Sequence, residues 1–389
     1  MSTPLVPGNR LTLLTSGAEY FPALIAEIEA AASEIHLETY IFADDATSRA
    51  VAAALARAAR RGVAVRVLAD GFGARDFDQG LGAGLRRDGV EVMVYRPEAG
   101  RLALRRHRLR RLHRKLSVFD GRVAFAGGIN VIDDWSEPEA PAPRFDYAVR
   151  VEGPVVVQIH QATRHVWRLV RWARLGRRPP PPAQRFPRPE RAGEVRAGLV
   201  IRDSLRHRAD IERAYLTAID GARDSILLAN AYFLPGRRFR QALLQAARRG
   251  VRVTLLLQGR VEYALLHYAT QALYDRLIAA GIRIVEYRAG FLHAKVAVVD
   301  ADWATVGSSN IDPFSLLLAR EANLVVRDTG FAAGLRQSLE AACAESGIEI
   351  AADTLPTRTW AMRWISRVAY GLIRLMVGMT AYIPRRRRL

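Results

Sequence analysis

Lysine is almost missing from a chain that is otherwise heavily basic. Of 58 Lys+Arg, only Lys115 and Lys295 are lysine, and 39 Asp+Glu leave a net charge of +19 over 389 residues. The shortage of acid points to polyanionic company, either nucleic acid or the phosphate-rich face of a membrane. Cysteine is down to one, Cys343, which excludes an intramolecular disulfide framework and a Cys-based zinc cluster. No basic segment followed by an apolar one opens the chain, so a cleaved secretory signal is not expected. No run reaches the roughly 18 uninterrupted apolar residues of a spanning helix. The nearest, Val368 to Ile383, is broken by Arg374 and closed by Arg385 to Arg388. What is present is an ordinary globular balance, 50% hydrophobic and 25% charged, with the length for two domains or one duplicated unit.

Short β-branched runs alternate with helical patterns, as in an α/β protein. The first half reads helix 18–32, strand 34–42, helix 47–61, strand 63–70, helix 81–88, strand 90–95. The second repeats the order: helix 211–221, strand 225–233, helix 239–249, strand 251–257, helix 262–280, strand 282–287. The junction Arg60-Arg61-Gly62-Val63 has a near-copy in Arg248-Arg249-Gly250-Val251, where glycine supplies the left-handed helix stop. A Pro/Arg-rich stretch with Pro179 to Pro182 in succession behaves as a semi-rigid spacer. The expected organisation is a first half at 1–175, a linker at 176–193, a second half at 194–350 and an amphipathic basic tail at 351–389.

The sharpest correspondence involves the two lysines. His113-Arg-Lys115 runs on to Asp120, Gly127-Gly128 and Asn130; His293-Ala-Lys295 runs on to Asp300, Gly307-Ser308 and Asn310. The offset is the same at every member of the set. With eight His and two Lys in the chain, chance predicts roughly 0.04 His-x-Lys pairs, and two occur in register.

In a strand, residues i and i+2 share a face, so each His is expected to project with its Lys while Leu116, Val118, Val296 and Val298 are buried opposite. Two such half-sites meeting across a two-fold would converge two imidazoles, two ammonium groups and two Asn amides. Two histidines without neighbouring acidic ligands make a poor metal site, so no metal and no cofactor is expected. The set suits a phosphodiester. Lys115, Lys295, Asn130, Ser308 and Asn310 can hold its oxygens, one imidazole can attack phosphorus, and the other can protonate the departing alkoxide. Lysine's compact point charge differs from arginine's planar fork, a reason for the two lysines to survive here.

This doubled HxKxxxxD motif, each followed by a GSxN-like element, resembles the phospholipase D superfamily over about residues 10–350. The resemblance implies a duplicated α/β/α sandwich whose halves are related by a pseudo-two-fold, with one active site between them. It implies His113 as nucleophile, His293 as general acid/base, and a carboxylate behind each histidine, for which Asp146 and Glu321 occupy the matching places. Asp120 and Asp300 belong to the catalytic motif, although closing a strand turn is the role expected of them. Gly128 stands where the second copy has Ser308, which removes a hydroxyl donor on one side.

Within the superfamily, Ile35 to Phe42 with Asp44-Asp45, Gly127-Gly-Ile-Asn-Val131 and Asp146 to Pro154 resemble bacterial cardiolipin synthases, in the shorter form without N-terminal membrane helices. The implied reaction joins two phosphatidylglycerol molecules into cardiolipin with release of glycerol. The expected partners are anionic phospholipids, phosphatidylglycerol and cardiolipin, rather than nucleic acid. The expected location is peripheral, on the cytoplasmic side of the inner membrane; oligomeric state is left open. Arg101 to Arg111, interleaving Arg with Leu102, Leu104 and Leu109, and the tail from Trp360 onward are read as lipid-facing. For 160–178 an interdomain packing helix is the balancing alternative, and for the tail, packing on the body. The rival readings are a nuclease on the same fold and an inactive membrane scaffold.

Overall fold

The computed structural model describes residues 4–97, 110–136, 141–175, 189–203, 206–312, 319–350 and 360–381. The first half runs β1 (Val6–Thr15), α1 (Ser16–Ala30), β2 (Glu34–Thr39), α2 (Ala46–Arg60), β3 (Ala64–Asp70), α3 (Leu81–Arg87) and β4 (Glu91–Tyr95). It continues with β5 (Arg111–Leu112), β6 (Lys115–Phe119), β7 (Val123–Gly127), β8 (Tyr147–Glu152) and α4 (Val156–Leu175). The second half opens with β9 (Val195–Arg202), α5 (Asp210–Gly221), β10 (Ser225–Asn230), α6 (Arg237–Arg248) and β11 (Arg252–Gln258). Then come α7 (Ala264–Gln271), α8 (Tyr274–Ile278), β12 (Arg283–Tyr287), β13 (Lys295–Val299), β14 (Trp303–Gly307) and β15 (Ala319–Arg327). Helix α9 (Thr329–Ser346), strand β16 (Gly347–Glu349) and helix α10 (Trp360–Ala381) complete the described chain.

The duplication is written into the sheet. From one edge the order is β16-β12-β11-β10-β13-β14-β15-β9-β1-β8-β7-β6-β2-β3-β4. Apart from the edge strand β16 it reads the same from either end, with the antiparallel β1–β9 pair at the centre. In each half the strands β2, β3, β4 or β10, β11, β12 are parallel, and the motif strand β6 or β13 joins antiparallel. Helices cover both faces. One core lies beneath α1 to α3, a second beneath α5 to α8 and α10. A third spans the halves, gathering Val118, Tyr147 and Ile159 with Leu227, Val298 and Leu335. The expected sandwich is therefore present, and both junction glycines, Gly62 (φ 90) and Gly250 (φ 88), adopt the left-handed stop.

Several element bounds differ from the periodicity. The strands expected over 34–42 and 225–233 end at Thr39 and Asn230. Beyond those points the chain is drawn aside: Asn130 Oδ1 accepts the Ile41 N–H (3.1 Å), and Phe42 and Phe233 bridge to Val131 and Ile311. The single helix expected over 262–280 breaks into α7 and α8. The Thr270 hydroxyl reaches the carbonyls of Leu266 and Phe233 (2.9 Å each), and the last turn tightens as Leu273 N–H donates to Thr270. Strands β1 and β9, at the centre of the sheet, are not among the strands expected; β1 carries an irregularity between Val6 and Asn9 that interrupts its alternation. Most of the expected linker, and the Arg101–Arg111 segment up to Leu109, lie outside the described residues, as does the polybasic end of the tail.

Candidate active site

Both motif histidines sit just ahead of their strands rather than within them. His113 and Lys115 nonetheless share the site, as expected, both acting on Glu321; the Lys115 Nζ also donates to the His113 carbonyl (2.5 Å). Lys295 Nζ donates to the His293 carbonyl in the same way. The backbone of each histidine is held by the opposite half. The N–H of His113 donates to Arg320 O (3.0 Å), next to the parallel β5–β15 pairing, and the N–H of His293 donates to Phe145 O (2.8 Å).

The side chains cross over as well. His113 Nδ1–H donates to Glu321 (3.0 Å), which belongs to the second half, and His293 Nδ1–H donates to Asp146 (2.6 Å), which belongs to the first. Both carboxylates are almost fully buried, at 0% and 3% side-chain exposure, whereas the histidines keep 16% and 12%. With Nδ1 committed to a carboxylate, Nε2 is the atom left for chemistry in each ring. The two half-sites share one field. His293 is depressed by His113 and Lys115 from across the interface, and Lys115 by Lys295.

Burial governs the protonation states. Lys115 is pushed down to about 7 and Lys295 to about 8 by loss of water, despite the nearby carboxylates. Both imidazoles are held below the ordinary histidine range, first by burial. The two acids diverge. Burial raises Asp146 to about 6, whereas for Glu321 the same burial is outweighed by His113, Lys115 and the Ser308 hydroxyl, and its carboxyl is lowered.

Ser308, expected among the phosphate ligands, turns inward: Oγ donates to Glu321 Oε2 (2.5 Å) and accepts the Ala322 N–H (3.1 Å). Its role in this structure is to hold the carboxylate behind His113. The departure at Gly128 has a steric cause, since a Cβ there would collide with the Asp146 carboxylate. Asn130 and Asn310 are buried at 3% exposure each beside their motif strands, with Asn130 spending its Oδ1 on Ile41.

Asp120 and Asp300 do not reach the site. Each lies at the far end of its motif strand in a left-handed turn (φ 51 and 49). Asp120 accepts from the N–H groups of Ala32, Ser33 and Glu34 at 2.8–2.9 Å, and Asp300 from those of Arg223, Asp224 and Ser225. Placing them in the catalytic set is corrected accordingly; closing the strand turn is what they do.

Other site residues are assigned no role by the sequence, although Glu38 and Tyr40 lie within the Ile35 to Phe42 signature. The Tyr40 ring packs edge-on to His113 (centroids 4.9 Å) and lies 5.4 Å from the Lys115 ammonium. Arg114, between the two motif residues, is buried against Glu38 (2.6 and 2.9 Å) and anchors α4 through Ala162 O (2.7 Å). Breaking such a buried pair by removing one partner costs about 3–5 kcal/mol. Arg144 lowers both His293 and Lys295 and so forms part of the positive field.

A duplicated sheet whose halves exchange carboxylates behind two His/Lys pairs defines a two-lobed phospholipase D-like protein. Residues 24–167 and 215–343 match the family profile described as cardiolipin synthase, PLD-like domain. The chain belongs to that family. It is 38% identical over 387 residues to cardiolipin synthase B of Escherichia coli strain K12, covering 97% of this chain and 91% of that one. It is 33% identical to cardiolipin synthase A of Cronobacter sakazakii, covering 85% of this chain and 68% of that one. Among solved structures, phosphatidylserine synthase of Haemophilus influenzae Rd KW20 shares the fold with a TM-score of 0.69 at 12% identity, covering 97% of this chain and 95% of that one.

Proposed function

We propose that this chain is a cardiolipin synthase-type phosphatidyltransferase in which the crossed His–carboxylate pairs divide the chemistry. The observation that carries the assignment of roles is the contrast between the two acids. Glu321 is held ionised by His113, Lys115 and Ser308, so His113 keeps its proton on Nδ1 and offers the Nε2 lone pair to phosphorus. In the first step the Nε2–P bond of a phosphatidyl-histidine forms and the bond from phosphorus to the glycerol oxygen breaks. His293 Nε2–H gives its proton to that oxygen, and glycerol leaves. His293 is depressed first by burial and then by the neighbouring cations; the incoming phosphodiester anion counters the cations and, with Asp146 behind the ring, favours its second proton. In the second step His293 takes the proton from a hydroxyl of another phosphatidylglycerol. Its oxygen attacks phosphorus, the N–P bond breaks, and cardiolipin forms with His113 regenerated. Lys115 and Lys295 balance the charge that grows on the non-bridging oxygens.

Helix α10 supports a peripheral membrane location. The expectation of membrane attachment instead of packing is amended, because the helix packs on the body with one face and leaves an apolar stripe on the other. Ala369 and Ile373 enter the core and Tyr370 OH accepts from Arg240 (3.1 Å), while Trp364, Ile365, Val368, Leu372 and Leu375 face outward at 38–61% exposure. Among the described residues no helix is long and apolar enough to cross a membrane. A bilayer face is the surface such a stripe matches, and on this reading the side is the cytoplasmic one.

Incubation with phosphatidylglycerol vesicles should yield cardiolipin and one glycerol per turnover, identified by mass. DNA cleavage without any lipid product would replace this reading with a nuclease. His113→Ala and His293→Ala should each abolish product while vesicle binding persists.

A further inference from the structure

A cleft outside the catalytic centre has the walls of an amphiphile site. It lies between the end of β4 and the last turns of α4, with a volume of about 500 Å³, inside the range of small-ligand pockets. Its apolar walls come from Val94, Tyr95, Leu169, Val170 and Trp172. Trp172 is 52% exposed, an unusual place for indole on a helix that also has a buried face. Arg96, Arg174 and Arg320 stand around this apolar space. The single acid among the lining residues, Asp78, is engaged by Arg86, so the cleft presents excess positive charge.

The cleft adjoins the catalytic centre. Arg320 donates from Nε to Tyr95 OH (3.2 Å), while its carbonyl receives the N–H groups of His113 and Arg114 (3.0 Å each). The next residue, Glu321, is the carboxylate behind His113. Beneath the cleft, Tyr95 and Val170 pack in one cluster with Leu112, the neighbour of His113. Apolar walls, a cationic rim and a lining residue beside the nucleophile together match a chain-bearing phosphate ester.

We propose that this cleft seats one acyl chain of the acceptor phosphatidylglycerol, with Arg96, Arg174 and Arg320 receiving its own, non-reacting phosphate while the donor's phosphorus lies at His113. The proposal rests on the phosphatidyltransferase reading and adds what that reading lacks, a chain-length determinant outside the reacting centre. Guanidinium forks suit phosphate oxygens, and the hydrophobic gain grows by about 0.8 kcal/mol for each buried methylene. Discrimination should therefore lie in kcat/KM against chain length.

The test compares kcat/KM for dioleoyl- and dihexanoyl-phosphatidylglycerol, the latter too short to fill the cleft. Ala173→Trp, on the wall at an exposed helix position, should lower the long-to-short ratio by about tenfold through filling of the pocket. Photolabelling of the unmodified protein with a diazirine-tailed phosphatidylglycerol should mark peptides containing Val94–Pro97 or Leu169–Arg174. An unchanged ratio overturns the proposal, as does labelling confined to α10. Loss of vesicle sedimentation by the Ala173→Trp protein in proportion to its loss of turnover would also overturn it, since the cleft would then be a membrane contact. If the unmodified protein transfers neither lipid, it is the functional reading that fails, and the photolabel still reports whether the cleft takes a chain.

Discussion

His113 of the first half hands its Nδ1–H to Glu321 of the second, 3.0 Å away, and His293 is tied to Asp146 in the opposite sense. Neither motif histidine finds its carboxylate within its own half. The active site thus exists only when the β1–β9 seam and the shared core bring the halves together, and folding and catalytic competence are coupled at that interface.

Glu321→Gln should lower turnover about 100-fold or more, because an amide cannot fix the Nδ1–H tautomer of His113 with a charge behind it. The loss should fall on formation of the covalent intermediate, read as vanished label on His113 after rapid quench with radiolabelled phosphatidylglycerol. Asp146→Asn should instead slow turnover through leaving-group protonation. Label accumulating equally in both variants would contradict the crossed assignment.

The lysines should limit activity at high pH. With Lys115 near 7 and Lys295 near 8, kcat/KM for a soluble short-chain substrate should decline as pH rises through that range. For stability the sign is opposite. The unfolded chain, with ordinary lysine values near 10.4, binds more protons between those limits, so the burden these groups place on the fold is relieved as pH rises. Lys115→Met should accordingly be inactive with a melting temperature at or above that of the unmodified protein. A marked fall in melting temperature would show that the ammonium stabilises the fold.

Gly128→Ser should be damaging although it makes the first motif look like the second. Its Cβ takes the space of the Asp146 carboxylate, so His293 loses its support and turnover should fall about tenfold or more. Ser308→Ala removes the hydrogen bond to Glu321 (2.5 Å) without a clash and should act on the His113 side. The pH–rate profiles of the two variants should shift differently.

Asp120→Ala should cost stability rather than chemistry. Three backbone N–H groups and the Ser33 hydroxyl lose their acceptor, an effect of about 2 kcal/mol in urea unfolding. Burial raises the Asp120 carboxyl, but the hydrogen bonds from Ala32, Glu34 and Ser33 outweigh it and the pKa is lowered. Its stabilisation is therefore full above the unfolded carboxylate range and is lost as pH falls through the depressed value. Turnover per folded molecule should be close to normal.

Leu372→Asp with Leu375→Asp, both on the exposed stripe of α10, should reduce sedimentation with anionic vesicles by about tenfold and leave activity toward a monomeric lipid intact. Undiminished sedimentation would place the membrane contact elsewhere.

The motif spacing alone exposed the duplication, since two lysines in register with two histidines demand an explanation that scattered surface charge does not supply. Alternation of helical and β-branched periods was enough for the α/β class, because those periods follow from local side-chain geometry. Strand ends at Thr39 and Asn230 were not legible, as the groups that draw the chain aside, Asn130 and Ile311, are distant in sequence. The broken helix at Thr270 likewise answers to a carbonyl on Phe233.

By itself, then, the sequence determined the repeat and the His/Lys pairs, and its resemblance to a known family pointed to the two carboxylates. Which carboxylate serves which histidine, why position 128 lacks a side chain, and where Ser308 spends its hydroxyl were decided by the tertiary structure. Spacing along a chain constrains near neighbours, whereas the His–carboxylate contacts are made across the seam and those of Gly128 and Ser308 between strands of one half, where packing sets the distance.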